Sequence, residues 1–190
     1  ISGNNHSFAA LDTLREPSIE NTTLNAISTI HFDGIDDRLF TTSFSINQPY
    51  TIYFVFQTND IPFNYIFDGV PTNSCRIGGD NSGKYFLKAG GNFKSSTSCQ
   101  PDFNFVRYEI NGANSTIQED FVDVYSSPGN LSGDITAGAV IGTYGAYTNT
   151  NPVNYAEFAL SEFIVFDTVL DSISIFRTEA YLRSKYAPPI

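Results

Sequence analysis

Positive charge is the first scarcity of this chain: ten Lys and Arg stand against twenty Asp and Glu, a formal net charge of −10 over 190 residues. Binding to a phosphate backbone draws on counterion release from a basic surface, so nucleic acid is set aside as a partner. An acidic polysaccharide is disfavoured on the same ground unless a divalent cation bridges the two surfaces; neutral glycans meet no such barrier. No apolar run approaches the roughly 18 residues of a membrane-spanning helix, so no membrane insertion is expected. No signal-peptide pattern is present and the chain starts at Ile1, which suits a mature or excised form. Tryptophan is absent, which removes the largest stacking face a sugar site could use. The only histidines, His6 and His31, lie far apart and show no zinc-ligand spacing, which disfavours a two-cysteine zinc site. Cys75 and Cys99 are the only cysteines and flank a Gly-rich stretch. A disulfide closing that loop is the first reading, two buried thiols the second.

Aromatic residues are abundant, with 17 Phe and 11 Tyr. Broad and β-branched side chains suit pleated surfaces, and helix formers with long charged stems are few, so sheets are expected to dominate. The polar surface is built from Asn, Ser and Thr, as suits a secreted or cell-surface β domain. One domain over residues 1–190 is expected at this length, with 1–28 as a loosely patterned N-terminal arm. The sequons at Asn5, Asn21, Asn114 and Asn130 are no more than chance in so Asn- and Thr-rich a chain.

The densest stretch is Thr29 to Phe40, where an alternating apolar run meets Asp33-Gly34-Ile35-Asp36-Asp37 and leaves as a second strand. Tyr50-Thr51-Ile52-Tyr53-Phe54-Val55-Phe56-Gln57 is apolar at nearly every position, so both of its faces should be covered. Short strands follow at 64–69, at 75–79 and at 84–91, the last two joined by the Asp80-Asn81-Ser82-Gly83 turn. Residues 92–102 read as a polar loop. Phe103 to Ile110 alternates and ends at Asn111-Gly112; further strands fall at 121–125, 139–142 and 157–166. Asp171 or Ser172 caps a helix over 172–186 that gathers Ile175, Glu179, Leu182 and Tyr186 on one face, before Pro188-Pro189. Ten to twelve strands and one terminal helix predict an all-β antiparallel sandwich.

With these elements placed, the chain resembles the laminin-G-like branch of the concanavalin A-like lectin/glucanase superfamily, an antiparallel jelly roll. Three features carry the resemblance, which covers about residues 24–187. Leu24-Asn25-Ala26-Ile27 leads to Phe32-Asp33-Gly34-Ile35-Asp36-Asp37-Arg38-Leu39, Tyr50 to Phe56 follows, and Leu160-Ser161-Glu162-Phe163-Ile164-Val165-Phe166 runs into Tyr181-Leu182-Arg183-Ser184-Lys185-Tyr186. The resemblance implies a glycan-binding or adhesion module, while the wider superfamily also holds hydrolases and lyases.

Asp33, Asp36 and Asp37 offer hard oxygen ligands for calcium, or else brace the turn by accepting backbone N–H bonds. A glycoside hydrolase needs two carboxyls across one cleft. The Glu-X-Asp spacing of the superfamily's hydrolases does not occur, and Glu157 and Glu162, five apart in an extended strand, should face opposite ways. Glu119 and Asp120 share that defect. A polysaccharide lyase would draw on His31, Lys84, Tyr85 and Arg107, which match by residue type alone. A sugar site needs one or two aromatic faces and a few amide, carboxylate or guanidinium partners. Tyr144, Tyr147 and Tyr155 among Asn149 and Asn154 meet that recipe, as do Tyr65 and Arg76 beside Asn73. The expected protein is therefore a non-catalytic extracellular carbohydrate-binding module, calcium-assisted and set within a larger multidomain secreted protein. Its rivals are a lyase or hydrolase of the same fold and an adhesion or structural module.

Overall fold

The computed structural model describes residues 7–21, 27–58, 64–71, 74–80, 82–89, 92–98, 103–120, 122–126, 131, 133–144 and 154–186. Thirteen strands lie among them: β1 Ser18–Asn21, β2 Ser28–Asp33, β3 Leu39–Thr41, β4 Tyr50–Gln57, β5 Tyr65–Gly69, β6 Arg76–Gly79 and β7 Lys84–Lys88, followed by β8 Asn92–Ser98, β9 Phe103–Ile110, β10 Thr116–Glu119, β11 Val122–Ser126, β12 Ala139–Ile141 and β13 Glu157–Phe166. They form two antiparallel sheets, in the orders β1-β2-β13-β4-β9-β10-β11 and β3-β12-β5-β6-β7-β8. The expected β-sandwich is the fold.

The core follows from the pleat. Alternate residues of β4 enter the space between the sheets, so Ile52, Phe54 and Phe56 join Phe32, Phe67, Phe158 and Tyr85 in the main cluster. Phe32 and Phe158 stack with ring centroids 4.6 Å apart. The other face of β4 is covered too, since Tyr53 and Val55 pack with Leu182 and Tyr186 of the one α-helix among the described residues, α1 Ser172–Tyr186. This double burial is why β4 carries no polar alternation. The helix starts where Asp171 Oδ1 accepts the Ser174 N–H at 2.7 Å, and Arg183 and Lys185 lie in its last turn, where they complement the helix dipole.

The N-terminal arm crosses the sandwich: Ala9 bridges Phe40 of β3 in one sheet, and β1 pairs with β2 at the edge of the other. Two strands were hidden in the sequence. β8 lies where a polar loop is expected; it is an edge strand held by its ladder to β7. The four-residue β10 precedes β11. The expected Cys75–Cys99 disulfide is not made. Cys75 is a free, buried thiol, and burial pushes its pKa up to about 12 while a hydrogen bond with Tyr50 pulls the other way. The residue precedes β6 and packs into the core, which matches the buried-thiol reading; Cys99 lies outside the described residues.

Candidate functional site

The acidic turn begins where β2 ends. Gly34 has a φ of +74°, and a Cβ there would stand 3.0 Å from the Glu157 Cβ, so both the backbone and the crowding call for glycine. Asp33 Oδ1 accepts the N–H groups of Ile35 at 2.8 Å and Asp36 at 3.2 Å, and Asp37 Oδ2 accepts the Asp33 N–H at 2.9 Å. Asp33 and Asp37 thus brace the turn through one oxygen each. One carboxylate oxygen from each of Asp33, Asp36 and Asp37 can lie within 4.8 Å of the others. Burial raises the Asp37 pKa and the neighbouring Asp33 and Asp36 charges add to it, against the lowering effect of the Asp33 N–H. Such a crowd of hard oxygens fits a cation of calcium's kind.

Tyr155 lies within electrostatic reach of this turn, and its carbonyl accepts the Asn64 side-chain N–H at 2.7 Å. Burial raises its pKa, and the charges that act on it are Arg38, Arg15, Asp36 and Asp33. Asn154 beside it is exposed, with a φ of +62°. Tyr147, Asn149 and Asn73 lie outside the described residues.

A second site forms on the outer face of β5, β6 and β7. Phe67, Ile77 and Leu87 stand opposite one another and point into the core, so their neighbours Asp68, Arg76 and Lys88 make a row on the opposite face. The Arg76 guanidinium lies 3.7 Å from the Tyr144 ring centroid and 4.9 Å from that of Tyr65, with Asp68 Oδ1 4.0 Å from its Nε. Arg76 is 6% exposed and Asp68 1%. The Tyr65 ring meets Tyr144 at 5.2 Å and, edge-on, Phe86 at 5.3 Å. Gly78 makes this possible: a Cβ there would come within 2.5 Å of Asn64 O and 3.2 Å of Phe86 Cε1.

The result is a line of three half-buried rings, Phe86, Tyr65 and Tyr144, with Arg76 held against the last two. The two groups of residues expected from sequence are thereby redistributed, with Tyr144 joining Tyr65 and Arg76. Sequence reasoning missed Phe86 and Lys88. The available signal was the alternation of Lys84, Phe86 and Lys88 against the buried Tyr85 and Leu87.

The catalytic candidates are dispersed. Glu157 and Glu162 do share a face, contrary to the parity argument, because a bulge between Leu160 and Glu162 adds one residue to β13. They remain about four residue steps apart, roughly 13 Å, and Glu162 is tied to Lys185 at 2.6 Å. His31 is half-buried on β2, 3.7 Å from Glu20. Arg107 is buried beneath α1, 3.9 Å from Glu179. Tyr85 is in the core, and its hydroxyl donates to Asn104 Oδ1. Burial pushes Glu119 up to about 7, with Asp120 adding to the rise and a hydrogen bond with Tyr85 opposing it. A groove of about 690 Å³ opens among Phe8, Ile30, Leu39, Phe44, Phe163 and Val165.

Neither a protein-family model nor a curated protein matches the sequence. Solved structures do match in fold. The binding domain of botulinum neurotoxin serotype D/C aligns with a TM-score of 0.61 at 16% identity, over 95% of this chain and 48% of that one. A structure of botulinum neurotoxin type C, whose route into cells is dependent upon interaction with two ganglioside molecules, gives 0.61 at 16%, over 95% and 47%. Trypanosoma rangeli sialidase, in complex with 2,3-difluorosialic acid as a covalent intermediate, gives 0.65 at 8%, over 91% and 30%. The chain spans less than half the length of each. At these identities the likeness is one of fold, and the chain shares with these toxin and sialidase structures an antiparallel β-sandwich.

Proposed function

We propose that the protein is a carbohydrate-binding module of the laminin-G-like type, without catalysis of its own. It acts outside the cell or on its surface, within a larger secreted protein. The observation that carries this reading is the aromatic line Phe86–Tyr65–Tyr144 around Arg76, because flat apolar rings beside a fixed donor are what a pyranose requires. The dispersal of His31, Arg107, Tyr85 and the paired carboxylates supports the non-catalytic part. The sandwich fold shared with a toxin that depends on gangliosides, and with a sialidase bound to a sialic acid derivative, supports the glycan part. Calcium at Asp33, Asp36 and Asp37 is a structural adjunct in this reading.

Retention on immobilised polysaccharides and a glycan array, run with calcium and with chelator, tests it. Phe86→Ala should bind roughly fivefold more weakly, as expected for losing a ring contact worth about 1 kcal/mol. No retention on any glycan sinks the reading, and release of shortened products from a polysaccharide overturns its non-catalytic part.

A further inference from the structure

The seven-stranded sheet is not laddered along its whole width. β13 lies between β2 and β4, yet its ladder to β2 runs only from Glu157–Asp33 to Leu160–Ile30, while on its other side it pairs with β4 as far as Phe166–Thr51. The two strands part at the bulge between Leu160 and Glu162, as expected of a feature that re-aims a strand and ends its pairing. β2 continues to Ser28 with β1 as its ladder partner. Residues 161–166 of β13 thus keep an edge toward β2 that forms no ladder among the described residues; within them the Ser161 carbonyl accepts the Tyr186 hydroxyl at 3.0 Å.

The groove of about 690 Å³ runs along that edge. Ser161, Glu162, Phe163, Val165 and Phe166 all line it. Successive side chains of a strand point to opposite faces, so a groove that meets both sets meets the strand edge-on. Phe163 and Val165 pack against the core there, and the Ser161 Oγ is buried without a hydrogen-bond partner among the described residues. A row of unpaired backbone groups is a template for a further strand, and an apolar groove beside it takes alternate side chains of that strand. Charge gives the sign of the occupant. The lining carries Glu162 and Asp167 and no cation; Lys185 already answers Glu162, whereas Asp167 is exposed.

We infer that this edge accepts an extended peptide segment of another protein, one that alternates apolar and basic residues. Its backbone pairs with β13 over 161–166, its apolar side chains enter the groove beside Phe163 and Val165, and a basic side chain meets Asp167. This is a protein-binding function additional to the glycan reading and independent of it.

Calorimetric titration of the full chain with a capped heptapeptide of alternating lysine and valine tests the inference. The peptide should bind; the same peptide with glutamate for lysine should bind at least about fivefold more weakly. A fully N-methylated version, which keeps side chains and charge but has no backbone N–H, should lose at least about tenfold. Ser45 lines the groove and is exposed, so Ser45→Trp should block it and abolish binding with little change in melting midpoint. Asp167→Lys, a change on an exposed residue that keeps the fold, should weaken binding about threefold to fivefold. No binding of the lysine–valine peptide, equal binding of its N-methylated form, or full affinity in Asp167→Lys overturns the inference. A dimer of the unaltered protein that Ser45→Trp dissociates gives the groove to a second copy and overturns it too.

Discussion

Glu162 on β13 and Lys185 near the end of α1 meet at 2.6 Å, and the same carboxylate oxygen accepts the Tyr186 hydroxyl at 2.6 Å. The contact fastens the helix over β4 through the bulge that turns Glu162 toward it. Burial works to raise the Glu162 pKa, but the hydrogen bonds from Lys185 and Tyr186 outweigh it and hold the carboxyl below its usual range.

Replacing Glu162 should therefore cost stability in a pH-dependent way. A lowered folded-state pKa gives stability that is present above the unfolded value and lost as pH falls through the folded one. Lys185 is more than a third exposed, so solvent screening limits the contribution to about 1 kcal/mol. Glu162→Gln should be less stable by that amount at pH 7 in urea unfolding, and the gap should close in strong acid. A gap that persists unchanged at low pH would count against the ion pair as its source.

Glu119 predicts the opposite slope. Its carboxyl, 6% exposed, is pushed from its ordinary 4.5 up to about 7. Between those values the folded protein holds a proton that the unfolded chain has released, so stability falls as pH rises across this window and stays level above it. The full loss is up to about 3 kcal/mol. Glu119→Gln should unfold at the same urea concentration at pH 5 and pH 7.5, whereas the unaltered protein should lose ground. Parallel declines in both would assign the slope to other groups.

Gly78→Ala should strike fold and site together. The added Cβ would meet backbone at Asn64 O and at Tyr65 Cα, 2.9 Å away; neither is the free end of a flexible side chain. Overpacking of this kind costs about 1–3 kcal/mol and drives Tyr65 and Phe86 apart. The variant should melt lower and lose glycan retention, and a variant that retains glycan at full strength would separate the aromatic line from binding.

What the sequence revealed and what it hid divide along the range of the interactions. β9 and the helix α1 are legible because burial imposes a local period on them, twofold or 3.6-fold, and β4 because burial on both faces makes it a short continuous apolar run. β8 is not, because the polar stretch Asn92–Ser98 shows no apolar period and joins the sheet through its ladder to β7 at the edge. Tyr144 and Tyr65 stand far apart in the chain. They meet because β12 pairs with β5, Ile141 opposite Phe67, and no local pattern announces that partner. The bulge in β13 defeats simple counting in the same way: Glu157 and Glu162 change from opposite faces to one face through a single extra residue.

The acidic turn offers a way to separate bracing from metal binding. Asp33 and Asp37 each spend one oxygen on backbone N–H groups of the turn, whereas the turn-bracing bonds involve Asp36 only through its own N–H. Asp36→Asn should therefore leave the fold near its original stability without calcium. If calcium binds the three carboxylates, it relieves their mutual repulsion and stabilises the folded state by about 2.7 kcal/mol at a hundredfold excess over Kd. For a domain of this size that is a rise of roughly 5–11 °C in the melting midpoint. The unaltered protein should show this rise on adding calcium and lose it in chelator, and Asp36→Asn should melt at one temperature in both. Identical melting of the unaltered protein with and without calcium would leave the three carboxylates to the turn alone.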